Sequence, residues 1–165
     1  MGGGESLPNI FNLGDKMNYI WGCDLSLSNS GIAIFDSSGI PICVFNIKTN
    51  PKEDYGLRLK QIGDTLLEYK DKYPPEIMII ENAFTRFNKA TQALYRVRGI
   101  VEMLFWDIPK EFLAPTVVKK IICGNGKADK NEIENYIRRL YPEIEISDDN
   151  ISDALALGTS YFKER

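Results

Sequence analysis

The sequence contains no histidine. That absence excludes Ser-His-Asp and Cys-His catalysis, histidine general bases and imidazole metal ligands. Any hydrolytic chemistry must run on carboxylates, with or without a metal ion. Cysteine is scarce: Cys23, Cys43 and Cys123, an odd count with no CxxC spacing. Neither a disulfide framework nor a zinc site is expected. Cys23 and Cys43 sit inside apolar runs and read as small core residues. Long apolar runs are missing too, so no membrane-spanning segment is expected. Residues 1–16 lack the basic start and apolar stretch of a signal peptide. The expected setting is a reducing intracellular compartment: bacterial or phage-infected cytoplasm, with an organelle as the alternative.

Positive charge is also in deficit, with a net charge of −3. Its distribution matters more than its sum. Residues 82–139 hold eleven Lys and Arg against six Asp and Glu, a balance of +5. The remainder holds nine against seventeen, a balance of −8. A basic stretch beside an acidic one permits contact with nucleic acid despite the total, although a solvated helix surface would look the same.

What is present suits one globular domain: 165 residues, 44% hydrophobic and 26% charged. Residues 1–16 are Gly-rich and aperiodic, and read as a flexible or appended extension. Residues 17–165 then form a single domain. Tyr19–Asp24 reads as a buried strand, 31–36 as a second and 42–48 as a third, joined by short turns. Tyr55, Leu59, Ile62, Leu66 and Tyr69 recur at helical spacing, which predicts a helix over 54–73 ended by Pro74 and Pro75. Residues 76–80 read as a strand covered on both faces. A helix over 89–106 follows, with Ala90, Leu94, Val97, Val101 and Leu104 on one side. Next come a brief strand at 112–114 and a helix over 115–122 opened by Pro115. A helix from Asp129 or Lys130 to Tyr141 would turn Ile133, Ile137 and Leu140 inward, and a last helix covers 150–162. The order predicts a ribonuclease-H-like α/β domain: a mixed sheet of three antiparallel strands, then parallel strands, flanked by helices.

Three positions stand out as chemistry. Asp24 ends an apolar strand beside a turn. Glu81 repeats that arrangement after Ile77-Met78-Ile79-Ile80. Alone, either reads as an ordinary strand-end or turn-capping acid. Asp148-Asp149-Asn150 reads as an acidic helix cap, but Asp153 lies inside the helix beside an apolar run. Burying a carboxylate there is costly unless it is paired or metal-bound. Asp149 and Asn150 lie four and three residues before Asp153, on the same helix face. Oxygen donors without His or Cys point to a hard cation, Mg²⁺ or Mn²⁺. Such a site can activate water and steady the leaving oxygen of a phosphodiester.

Asp24 with GIAIF, IIENAF around Glu81, GNGKADK at 124–130 and DDNISDALAL at 148–157 together resemble the RuvC-type Holliday junction resolvases, over about residues 19–162. The resemblance implies four acids binding two divalent ions, a homodimer, and cleavage of branched DNA at four-way junctions. Asp24, Glu81 and Asp153 match three of the acids. The fourth position holds Asn150, so either Asn150 supplies a neutral oxygen, or Asp149 takes the role, or the site is disabled. Phe84 matches an aromatic that stacks on junction bases. Lys127 and Lys130 match basic residues near the scissile phosphate. Arg86, Lys89, Arg96 and Arg98 are candidate phosphate contacts. Competing readings are a nuclease of the same fold for flaps, forks or RNA–DNA hybrids, and a non-catalytic junction-binding homologue. A nucleotide-binding domain of the actin or sugar-kinase type is weaker, because no glycine follows Asp24 until Gly31.

Overall fold

In a computed structural model, which describes residues 18–82 and 89–165, strands and helices follow the expected order. The strands are β1 (Tyr19–Asp24), β2 (Asn29–Phe35), β3 (Pro41–Lys48), β4 (Pro75–Glu81) and β5 (Lys110–Leu113). The helices are α1 (Tyr55–Lys72), α2 (Lys89–Leu104), α3 (Pro115–Cys123), α4 (Lys130–Leu140) and α5 (Asp149–Lys163). The sheet order is β3-β2-β1-β4-β5. β1, β2 and β3 pair antiparallel, whereas β4 and β5 extend the sheet parallel to β1.

Side-chain alternation along the strands divides the core in two. Trp21, Cys23, Ile32, Ile34, Met78 and Ile80 face α1 and α2. Ile20, Ala33, Phe35 and Ile79 face α3, α4 and α5. A sheet so covered must be apolar on both sides, which is why its central strands read as unbroken hydrophobic runs.

Local chemistry sets the ends. Asp54 caps α1 by accepting from Leu57 N, and Asp129 with Glu132 forms a capping box on α4. Gly124 closes α3 at φ 74°, a left-handed conformation that favours glycine. Some details differ from expectation. Pro75 opens β4 instead of only ending α1; having no N–H, it suits a strand's first position. α2 stops at Leu104, leaving Phe105 buried and Trp106 exposed in the turn. Ala90 lies outward in the first turn of α2, and Thr91 is buried instead. Leu140 is exposed, because the chain leaves α4 there. Tyr141 turns inward in its place, its ring 6.3 Å from that of Phe35 and its hydroxyl 2.8 Å from Thr159 Oγ1.

Candidate active site

The sheet topology brings two acids side by side. β1 and β4 are parallel neighbours with Cys23 opposite Ile80, so the next residues, Asp24 and Glu81, end the two strands together. Alternation decides their direction. Cys23 and Ile80 face α1 and α2, so Asp24 and Glu81 turn to the opposite face, where α5 lies.

α5 comes unusually near the sheet because the strands offer glycine beneath it. A Cβ on Gly22 would collide with the Ala154 carbonyl, and one on Gly31 with the Asn150 carbonyl. Gly31 is also the residue paired with Asp24. With no side chain between, the helix backbone rests on β1 and β2, and Asp153 reaches the strand-end acids.

The N-terminus of α5 is pinned by polar contacts. Asp148 caps it by accepting from Ile151 N at 3.2 Å. The same carboxylate accepts from Asn29 Nδ2 at 3.0 Å and Asn46 Nδ2 at 3.2 Å, tying the helix to β2 and β3. Against the cost of its partial burial, these donors hold the Asp148 carboxyl below the usual carboxylate range. Asp148 is therefore engaged as a cap.

Repulsion marks the site. Asp24 is pushed up to about 7, first by burial, then by Glu81 and Asp153. Glu81 is raised by burial and then by Asp153. Asp153 is raised mainly by burial, opposed by Lys130. Lys130 Nζ lies 2.8 Å from Asp149 Oδ2 and 3.9 Å from Asp153 Oδ2, and its positive charge counters all three half-buried acids. A cleft of about 370 Å³ opens here, lined by Glu81, Asp153, Lys130, Lys119 and Pro115.

Among the described residues, no three acidic or sulfur side chains close around a single ion position as they stand. The chemistry of the set nonetheless fits a hard divalent cation. Its donors are all oxygen, its acids repel one another, and the nearby cations leave all three acids raised above their ordinary values.

This crowding has a consequence for stability. The folded protein retains the Asp24 proton up to about pH 7, whereas an unfolded chain releases it near 3.8. The stabilising contribution is thus complete below the unfolded value and lost as pH rises through the folded one. We expect the melting temperature of metal-free protein to fall by several degrees between pH 4 and 7.5. Asp24→Asn should flatten that dependence, as followed by circular dichroism in EDTA. A flat wild-type profile would contradict the burial and repulsion described for Asp24.

Other sequence candidates land differently. Asn150 packs through its backbone on Gly31, whereas Asp149 points toward Lys130. Lys89 opens α2 and is exposed. Lys127 is exposed in the α3–α4 loop, where its N–H donates to Asn125 Oδ1. Gly126 packs near the Thr116 carbonyl. Phe84 and Arg86 lie outside the described residues. Arg98 does not point freely to solvent: its Nη2 donates to the Glu81 carbonyl oxygen at 2.7 Å, bracing the end of β4. Lys119 was missed by sequence reasoning. It stands one turn into α3 and lowers the proton affinity of both Glu81 and Asp153. Its only local signal was membership of the basic stretch.

The family model described as crossover junction endodeoxyribonuclease RuvC matches residues 20–161. A protein of that name from Desulforamulus reducens is 32% identical over 146 residues, covering 84% of this chain and 89% of the relative. One from Corynebacterium diphtheriae is 28% identical over 149 residues, covering 85% and 91%. The structure of Thermus thermophilus RuvC in complex with Holliday junction substrate superposes with a TM-score of 0.79 at 22% identity, covering 89% of this chain and 94% of that one. At that identity the superposition speaks for the fold, a ribonuclease-H-like mixed sheet. A family match spanning most of the chain, on a fold that sets Asp24 beside Glu81 under α5, shows that this protein belongs to the RuvC family of crossover junction endodeoxyribonucleases.

Proposed function

We propose that this chain is a structure-specific DNA endonuclease that resolves four-way junctions by divalent-metal-dependent phosphodiester hydrolysis. The observation that carries the reading is the mutual repulsion of Asp24, Glu81 and Asp153 at one edge of the sheet, beside a cleft that Glu81, Asp153, Lys119 and Lys130 line. Asp24, Glu81 and Asp153, with Asp149 or Asn150, would hold Mg²⁺ or Mn²⁺, two ions in the full site. When bound, such ions supply an activated water and neutralise the leaving oxygen. The residues do the rest. The partial burial of Asp24 and Glu81 strengthens the charge interactions at the cleft. Lys119 and Lys130 draw a phosphate to the acids. Lys130, exposed and beside Asp149 and Asp153, is placed to contact that phosphate. The deciding experiment is cleavage of a mobile four-way junction, a flap and a linear duplex in parallel, with and without Mg²⁺. We expect metal-dependent cuts in the junction. Preferred cutting of the flap would reassign the substrate, and binding without cutting would make the chain a non-catalytic homologue.

Asp149 is the stronger candidate to complete the site. It is charged, lies one turn before Asp153, and already holds a cation in Lys130. Asp149→Ala is expected to slow cleavage roughly tenfold or more, and Asn150→Ala less, because a neutral oxygen is the poorer ligand for a hard cation. Single-turnover rates across a Mg²⁺ titration decide it. If Asn150→Asp raises the rate strongly while Asp149→Ala is silent, the site uses position 150.

A second copy of the chain is part of this reading, since paired cuts across a two-fold junction need two active sites. On α2, Tyr95 and Met103 lie two turns apart and are 59% and 62% exposed, and Trp106 just beyond is 81% exposed. We expect a dimer mass in sedimentation at micromolar concentration, reduced to monomer by Met103→Glu with Trp106→Glu. A monomeric wild-type, with and without DNA, would count against it.

A further inference from the structure

The sheet has a second cationic site on the face opposite the carboxylates. Arg58, in the second turn of α1, is 6% exposed. Its Nε donates to Thr49 Oγ1 at 2.9 Å, and Nη2 to Ser28 Oγ at 3.3 Å and Leu27 O at 3.5 Å. These acceptors are neutral. Among the described residues no carboxylate pairs with Arg58. Burying a guanidinium without a counter-anion is costly, because neutral oxygens satisfy its N–H groups but leave its charge.

A second unpaired cation lies close by. The Arg96 guanidinium from α2 sits 4.3 Å from the centroid of the Tyr55 ring, and that of Arg58 sits 5.8 Å from the same centroid. Arg96 has no ion-pair partner among the described residues either. The nearby acid Asp54 is occupied in capping α1. Two guanidiniums around one tyrosine repel each other, and a bound anion would relieve that repulsion.

Position identifies the anion. Leu27 and Ser28 belong to the loop directly after Asp24, and Thr49 directly follows β3. β3 runs the same way as β1, so both points lie at the sheet edge that bears Asp24 and Glu81. Lys119 and Lys130 flank that edge on the α3–α5 side, and Arg58 and Arg96 flank it on the α1–α2 side. We infer that Arg58, Tyr55 and Arg96 form a second DNA-backbone subsite, which takes a phosphate other than the one being cut. Being across the sheet from the acids, it cannot serve the reacting phosphate. It therefore acts by holding the substrate over the edge. The inference rests on the DNA-cleaving function proposed above.

Arg96 and Tyr55 are exposed and can be changed without opening the core. The test is binding of a synthetic four-way junction by fluorescence anisotropy across a salt series, with Ca²⁺ replacing Mg²⁺ to prevent cutting. Arg96→Ala should lower the slope of log affinity against log salt by about one, as expected for one lost phosphate contact. Arg96→Glu should weaken binding about tenfold at 100 mM salt, and Tyr55→Ala about threefold. The same charge reversal at Lys72, in the last turn of α1 and paired with Glu68, should leave binding unchanged. Arg96→Glu binding with wild-type affinity and slope, while the wild-type still cuts junctions, overturns the subsite alone. An equal loss from Lys72→Glu also overturns it, because the effect would then be general charge. Wild-type protein that neither binds nor cuts any branched DNA removes the proposed function and this inference with it.

Discussion

Asp153→Asn is expected to lower the junction cleavage rate roughly a thousandfold or more, equivalent to about 4 kcal/mol of lost transition-state stabilisation. Junction binding should stay within a few fold of wild-type. The two effects separate because different groups carry them. Asp153 stands in the cleft beside Glu81, with Lys130 3.9 Å away, and its proposed task is to hold a metal. Affinity comes mainly from Lys and Arg contacts to phosphates, which the substitution leaves in place. The isosteric change also removes a half-buried charge that Glu81 and Asp24 both resist, so the variant should melt no lower than wild-type in EDTA. Single-turnover cleavage and anisotropy on the same junction test this. Cleavage that persists within tenfold would remove Asp153 from the metal site. Binding lost together with cleavage, in a folded variant, would make the metal site the main DNA anchor.

Gly22→Ala is expected to cost about 2–4 kcal/mol of stability and to reduce cleavage sharply in the protein that remains folded. The new Cβ would meet the Ala154 carbonyl and lie 2.8 Å from the amide nitrogen of Gly158, both backbone atoms that no rotamer change can move. Only lifting α5 from β1 relieves the collision, and lifting α5 carries Asp153 away from Asp24. Gly31→Ala should act likewise at the first turn of α5, beneath Asn150. Urea midpoints give the stability loss, and cleavage under conditions where the variant stays folded gives the catalytic one. Wild-type stability for Gly22→Ala would mean that α5 does not rest on the strand backbone as described.

The elements were legible because their causes are local. The unbroken apolar run of Tyr19–Asp24 records a strand covered on both faces, and a period near 3.6 through Tyr55, Ile62, Leu66 and Tyr69 records which side of a helix meets apolar neighbours. Pro115 and Asp129 mark helix starts by the hydrogen bonds they lack or supply. The strand-end acids were legible for the same reason, as was Asp153, a charge set within an apolar helical run. The family resemblance then joined segments that local pattern could not.

The remaining features were decided by contacts between residues far apart in the chain. Asp148, Asp149 and Asn150 are consecutive, yet Asp148 goes to Asn29 and Asn46, Asp149 to Lys130, and Asn150 onto Gly31. Nothing within that tripeptide distinguishes the three fates. They depend on how far α5 descends onto the sheet, and that distance is set by glycines more than a hundred residues earlier. Lys119 looked like any helix lysine until the packing of α3 against α5 turned it toward Glu81. Arg98 looked like a free phosphate contact until the packing of α2 on the sheet, with Val97 and Val101 in the core beside Ile80, delivered its guanidinium to the Glu81 carbonyl. Periodicity tells each element which face is apolar, and so determined the layers and the strand-end acids. Which charged groups finally share a cleft depends on the height and tilt at which helices dock. Those are set by the shapes of distant side chains, and only the tertiary structure contains them.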